Sequence, residues 1–387
     1  MLGNLRPIAL AAVLAGAPCL ALAQPAAAPP PPLEPETSDV AVLPDPTPHR
    51  VFLLDAFGGG EARIVDADTG KLLGGVSAAS LSNLAIGPGQ KQIYVAESIW
   101  TKGNRGDRQD MVSVYDGKTL NLVTEIALPG RVFMGPRQQN FAISASGKRG
   151  YVYNMDPSSS VIVVDLAAGK LEQTVEAPGC ALAFPFGEAG FSSLCGDGSL
   201  ATVTLEPGGA KLTRTKPFFN AETDPVFENS PTDRVSGRTI FVTYTGLVHA
   251  VQLGAAPVFE KPWSIQAAAG FAPPSSDDRE LAWRPGGGQP LAWHRASGRL
   301  YVLMHAGGHW SHKEEGEEIW ILDVPKRALV KRYKLEKPLS AIGVSQDAEP
   351  VLFGADKTGV FFTLKPDSGE FVKTVKAVGG LIYEPAG

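Results

Sequence analysis

SASGKRGYVYNMDPSSSVIVVDLAAGKLEQTV, residues 144–175, holds the organisation of the chain in miniature. A Gly-bearing turn leads into a strand ending in an aromatic–aliphatic pair. A connection follows, then a second strand ending in Asp165, a turn, and a third strand. Short runs of Val, Ile, Tyr and Phe punctuated by Gly, Asp, Asn, Ser and Pro are the signature of β-strands and their turns. Working outward, the same turn-plus-strand start recurs as GPGQKQIYV (87–95), GEAGFSSL (187–194), SGRTIFV (236–242), SGRLYVL (297–303) and SQDAEPVLF (345–353), with HRVFLL (49–54) as a further copy. The second half of the unit recurs as IVDADTGKLLGGV, VYDGKTLNLVTEI, ILDVPKRALVKRY and TLKPDSGEFVKTV.

Counting 144–152, there are seven starts, roughly 40 to 60 residues apart, the period of a four-stranded propeller blade. One such antiparallel sheet cannot bury both of its faces, whereas a closed ring of sheets buries every face and leaves only short edges. The expected fold is therefore all-β, a seven-bladed β-propeller of WD40-like or YVTN-like repeats over residues 50–387. The Asp-x-x-Ser/Thr-Gly-Lys turns need no metal: Asp caps the turn with its side chain and Gly accepts positive φ. DADTGK at 66–71 superficially suggests a calcium loop, but Lys71 and Ser77 stand where an EF-hand requires Gly and Glu.

The remaining 49 residues read differently. MLGNLRPIALAAVLAGAPCLALAQ has a basic residue, Arg6, an apolar stretch from Ile8 to about Leu22, and a small-residue site at Ala21–Ala23. This predicts an export signal, residues 1–23, cleaved near Ala23. Residues 24–49, dominated by Pro and Ala, predict an extended tether. With 387 residues, 44% of them hydrophobic, the chain can bury a full core, and its net charge of −5 gives no electrostatic footprint for nucleic acid or anionic lipid. No second apolar stretch of membrane-spanning length follows the signal. Export leaves two cysteines, Cys180 and Cys195, in an oxidising compartment, where a disulfide is the default.

Four of the six histidines, His294, His305, His309 and His312, fall within residues 291–323. The strand SGRLYVLMH and its partner EEIWILD make AGGHWSHKEEG a long exposed connection. Its Gly pair and its Lys and Glu residues suit a solvated or partner-contacting loop better than a metal site. There is no G-x-S-x-G elbow, no G-x-G-x-x-G, no H-E-x-x-H and no C-x-x-C-H, so the sequence offers no catalytic set or metal site of its own. Phe57, in LLDAFGGGEAR, is an aromatic residue in a glycine-rich inter-strand loop; on sequence alone it is equally well an ordinary apolar anchor.

The segments RGDRQDMVSVYD (105–116), LCGDGSLATVTL (194–205), WRPGGGQPLAWHRASGRLYVLMH (283–305) and HKEEGEEIWILD (312–323) resemble the heavy chain of the quinoprotein amine dehydrogenases. The aromatic amine dehydrogenase branch looks nearer than the methylamine dehydrogenase branch. The resemblance runs from about Val51 to the C-terminus and includes the Cys180 to Cys195 spacing of the family's disulfide. It implies a periplasmic propeller paired with a small disulfide-rich light chain, two heavy with two light. In that assembly the light chain carries both tryptophan tryptophylquinone and the catalytic base. The complex would oxidise primary amines to aldehyde and ammonia and pass electrons to an azurin- or amicyanin-like blue copper protein. The resemblance also places Phe57 on the wall of the substrate channel, although Gly58–Gly60 replace bulkier residues in that loop. The alternative function is a stand-alone periplasmic propeller that binds a partner and catalyses nothing.

Overall fold

The computed structural model describes residues 42–384 apart from positions 56, 104, 132–134, 136, 278 and 377. The expected export signal and residues 24–41 of the tether lie outside the described residues. From Arg50 onward the chain forms seven antiparallel sheets in succession, and these are the seven blades expected from the repeat. Blade 1 comprises Arg50–Leu54, Gly60–Asp66 and Lys71–Ala78, with Leu381–Tyr383 as its innermost strand. Blades 2 to 7 occupy residues 83–128, 141–176, 180–214, 226–264, 282–339 and 341–375. The ring closes where Phe52, Leu53 and Leu54 pair with Tyr383, Ile382 and Leu381.

Strand alternation explains why the ring is stable. Side chains at successive strand positions point to opposite faces, so each blade feeds two cores. Val51 and Leu53 pack with Phe353 and Phe361 of blade 7. Phe52 and Leu54, one step out of phase, pack with Leu84 and Val95 of blade 2. The same division holds around the ring, giving one hydrophobic cluster between each pair of adjacent blades. A large apolar side chain fully buried in such a cluster contributes roughly 1.5–3 kcal/mol.

The Asp turns act as read from the sequence. Asp66 Oδ1 accepts from the N–H groups of Asp68 and Thr69 at 2.9 and 3.1 Å, and Gly70 takes φ 71°. In the five blades that carry this hairpin signature, pairing of the third and outer strands slips just before the turn, at Ile64/Val65, Val114/Tyr115, Val163/Val164, Ile321/Leu322 and Thr363/Leu364. A bulge adds twist, and its repetition lets the outer strands splay as the ring widens.

The innermost strand is short in most blades. In blade 5 it is reduced to isolated bridges, Val226 with Thr243 and Thr232 with Thr239, because Pro225 and Pro231 cannot donate to a ladder. Around the axis, side chains replace strand pairing. Gln289, at the junction of blades 6 and 7, accepts from Ile382 N–H at 3.0 Å and donates to the carbonyls of Ile382 and Ile342 at 3.1 and 3.2 Å. Gln138 reaches the same Ile382 carbonyl from blade 3. In blade 4, Cys180 and Cys195 stand directly opposite in register and are joined as a disulfide. Ahead of blade 1, Leu43 is buried in the cluster between blades 1 and 2 and its N–H donates to Lys118 O at 2.8 Å.

Candidate functional site

Connections from second to third strands, and from each outer strand to the next blade, emerge on one face of the ring, called the front. The other turns emerge on the back. Polar residues are expected in turns, but the front connections carry a set of exposed apolar side chains: Phe57 at 70%, Trp310 at 50%, Phe271 at 41% and Leu281 at 81%, with Leu81 and Met155. The second strand of blade 2 adds Ile99 and Trp100 at the same edge. Among the described residues, the back turns expose Val235, and the back ends of the outer strands add Leu72, Leu122, Leu171 and Val258; the large exposed aromatic rings, Phe57, Trp100, Phe271 and Trp310, are all at the front. An apolar face of this kind marks an interaction surface.

Phe57 is held outward by its own loop. Asp55 Oδ1 accepts from the N–H groups of Phe57 and Gly58 at 3.2 and 2.9 Å, and Gly59 N–H donates to Asp55 O at 3.1 Å. A Cβ on Gly58 would lie 2.3 Å from the Asp55 carboxylate, and Gly59 has φ +66° against Ser80. The glycines are therefore needed for the turn, and the side chain they leave standing is an aromatic ring in solvent. Beside it, the 79–83 connection is clamped by Arg131, whose guanidinium donates to Leu81 O and Asn83 Oδ1 at 2.7 and 2.9 Å. Burial lowers the Arg131 pKa to about 9, so it remains charged near neutrality.

The histidines divide. His294 lies at a back turn, bonded to Ser297 Oγ at 2.7 Å and Asp347 O at 2.9 Å. His305, His309 and His312 lie on the front, but the connection that holds them is less exposed than its Gly and Glu content predicts. His305 is 2% and His309 1% exposed. The Ser311 hydroxyl is 2.7 Å from His305 Nε2 and itself donates to Gly308 O at 2.6 Å, folding the loop over the His305 ring. His312 stacks on Tyr244 of blade 5, centroids 3.9 Å apart and planes 14° apart, and Trp310 stands edge-on to Tyr244 at 6.3 Å. Burial lowers the pKa of both His305 and His312 and so favours the neutral ring in each. The loop thus works as a platform for Trp310, and among the described residues no three His, Cys, Asp or Glu side chains are placed to hold a metal.

Near the centre of the front a cavity of about 330 Å³ opens between blades 3, 4 and 5, lined by Tyr153, Met155, Leu182, Phe219 and Val226. The Arg137–Glu228 ion pair, 2.6 Å, stands at its edge. Trp283 and Trp320, the tryptophan pair in ring contact among the described residues, are 5.7 Å apart, but Trp320 is fully buried and Arg332 packs 5.3 Å from both rings.

Tyr244, Trp310, Leu81 and the front cavity were not singled out in the sequence. Their signal is large apolar residues at turn positions, which shows only once the turns are sorted by face.

Residues 49–382 match the family model described as methylamine dehydrogenase heavy chain. The chain is 28% identical to the methylamine dehydrogenase heavy chain of Methylorubrum extorquens over 82% of its length and 76% of that protein's. Against the Paracoccus versutus heavy chain the identity is 29%, over 89% of this chain and 81% of the relative. The Methylophilus methylotrophus heavy chain is 27% identical, over 90% and 85%. Among solved structures, dihydro-heme d1 dehydrogenase NirN superposes with a TM-score of 0.54 at 13% identity, over 84% of this chain and 64% of that one, a likeness of fold alone.

Proposed function

The chain belongs to the methylamine dehydrogenase heavy chain family, and on that premise we propose that it is the non-catalytic large subunit of an exported amine dehydrogenase whose cofactor-bearing light chain docks on the front of the ring. The observation that carries this reading is the one-sided distribution of exposed aromatic side chains, from Phe57 in blade 1 to Trp310 in blade 6. Aromatic residues fixed in rigid loops lose little conformational freedom on binding and act as anchors. The net formal charge does not drive this association; apolar burial does.

The rest of the assignment follows the family. The chain would work in the periplasm after loss of residues 1–23, as two heavy with two light subunits, and electrons would leave to a blue copper protein. The light chain's tryptophan tryptophylquinone would supply the electron sink for oxidation of a primary amine to aldehyde and ammonia. This chain's residues bind and exclude water. Phe57, propped outward by the Asp55 turn, would close one side of the amine entrance, and the Arg131-clamped Leu81 connection would support it. On the resemblance of its sequence to the aromatic branch, the amine it admits would be an aromatic one.

Purification from the native host tests the reading. The chain should bring down a small partner absorbing in the visible region, and Trp310→Ala should weaken that association by about 2 kcal/mol or more. Phe57→Ala should shift kcat/KM between benzylamine and methylamine with the assembly intact. A colourless monomer from the native host would instead support the stand-alone binding propeller. An amine series unchanged by Phe57→Ala would remove Phe57 from the channel.

A further inference from the structure

Among the described residues, positive φ outside glycine occurs at Leu81, Gln90, Leu120, Leu182 and Arg327. A side chain there crowds its own backbone, so each position needs a reason. Four have one in the fold. Leu120 and Arg327 follow Asp116 and Asp323 at the place where Gly70 and Gly169 complete the same Asp turn in other blades. Gln90 commits its side-chain amide to Thr47 O at 2.8 Å, and Leu182 is buried where the pairing of blade 4 slips. Leu81, at φ 58°, belongs to no repeated turn and keeps its side chain 38% exposed on the front.

The conformation at Leu81 is enforced from beneath. Ala79 N–H donates to Glu97 Oε2 at 2.9 Å, and Arg131 donates to the Leu81 carbonyl at 2.7 Å. Both ionisable side chains are buried and held in turn. Glu97 Oε1 accepts from Ser113 Oγ, and Arg131 donates to Ser98 Oγ at 3.3 Å and to Asn83 Oδ1 at 2.9 Å. Burying such groups is costly, yet two are committed to this short connection. Backbone strain that its surroundings over-determine in this way gathers where a protein meets its ligand.

The connection also abuts the Phe57 loop. Gly60 pairs with Ala78, and a Cβ on Gly59 would lie 2.8 Å from Ser80 N and 3.1 Å from Ser80 Cα. Phe57 and Leu81 therefore stand close on either side of a tight main-chain contact, and both are apolar and exposed. We propose that Leu81 is a second specificity-determining residue of the amine entrance, its side chain meeting the organic group of the amine from the wall next to Phe57. This rests on the reading of the chain as the large subunit of an amine dehydrogenase. The left-handed backbone, locked by Glu97 and Arg131, would fix where the Leu81 side chain stands.

Steady-state kinetics of the complex purified from the native host with its light chain tests this, with benzylamine and methylamine as probes. Leu81→Gly removes the side chain and the backbone crowding together. It should retain the light chain and unfold in urea no earlier than the unaltered protein. The benzylamine-to-methylamine ratio of kcat/KM should change at least about threefold, mainly through KM. Leu81→Met, which keeps an apolar side chain of similar volume, should hold that ratio within about twofold of the unaltered protein's. In a Phe57→Ala background the effect of Leu81→Gly should shrink, because the two side chains bound one opening. If Leu81→Gly does not assemble, Leu81→Asn, which also accepts the left-handed backbone, takes its place. An unchanged ratio in Leu81→Gly would overturn the proposal, and a ratio shifted by Phe57→Ala in the same series would show that the large-subunit reading survives it. A ratio that changes only together with an earlier urea midpoint or loss of the light chain would make Leu81 a structural or docking residue and overturn the proposal as well. A chain that holds no light chain and supports no amine oxidation would remove the reading and this inference with it.

Discussion

Replacing Gln289 with Met should loosen the closure of the ring with little change of volume. The amide accepts the Ile382 N–H at 3.0 Å and donates to the Ile382 and Ile342 carbonyls. Gln289 is 3% and Ile382 0% exposed, so water cannot readily take over these roles. The Ile382 carbonyl keeps Gln138, but its N–H is left buried and unpaired, at about 1–3 kcal/mol. Two further bonds, each contributing about 0.5–1.5 kcal/mol, are lost as well. Gln289→Met should therefore destabilise the ring by roughly 2–6 kcal/mol, measured by equilibrium urea unfolding with the disulfide intact. The loss should also be local first: amide exchange at 381–383 and 50–54 should accelerate before the sheets of blades 3 and 4 do. A change below about 0.5 kcal/mol with unaltered exchange at 381–383 would refute the claim that the axial glutamine holds the ring shut.

Cys180→Ser with Cys195→Ser should lower unfolding stability by about 3 kcal/mol, the chain-entropy value for a loop of this length, while partner association measured by co-purification stays intact. His249 is buried against the Phe218 ring and its pKa is lowered to about 4 by burial. The unfolded chain then binds the extra proton first, so stability is full above about pH 6.5 and falls by roughly 3 kcal/mol as pH drops to 4. His249→Phe should flatten that part of a urea-midpoint against pH curve, and an unchanged slope would exclude His249 as its source. Gly58→Ala would set a Cβ 2.3 Å from the Asp55 carboxylate; its stability should change by less than about 1 kcal/mol, but its amine selectivity should move in the same direction as that of Phe57→Ala. Selectivity equal to the unaltered protein's would show that the Asp55 turn does not set the Phe57 position.

The sequence revealed what repeats. The second strands of all seven blades and five of the outer hairpins were legible because Asp, Gly and the alternating apolar positions are imposed locally by turn geometry and the pleat. The innermost strands were not, because residues such as Ala341–Val344 are buried at every position and show no alternation. In blade 5, Pro225 and Pro231 erase even the strand pattern. Phe57 stood out because glycines surround it, whereas Trp310 did not: its exposure depends on His305, Ser311 and Tyr244, which lie up to 66 residues away in sequence. The burial of His309 had no local signal either, since the same Gly and Glu residues suit a solvated loop.

The pairing of 381–383 with 50–54 has a bearing on how such a chain is made. Gly379, at φ +111°, packs on the backbone of Leu54 and Asp55, the root of the loop that presents Phe57. That root gains its support only when residues from the far end of the repeat array arrive. A nascent or truncated polypeptide would hold most of its sheets and still lack a finished first sector, so capture by a partner would report that synthesis had run to the end.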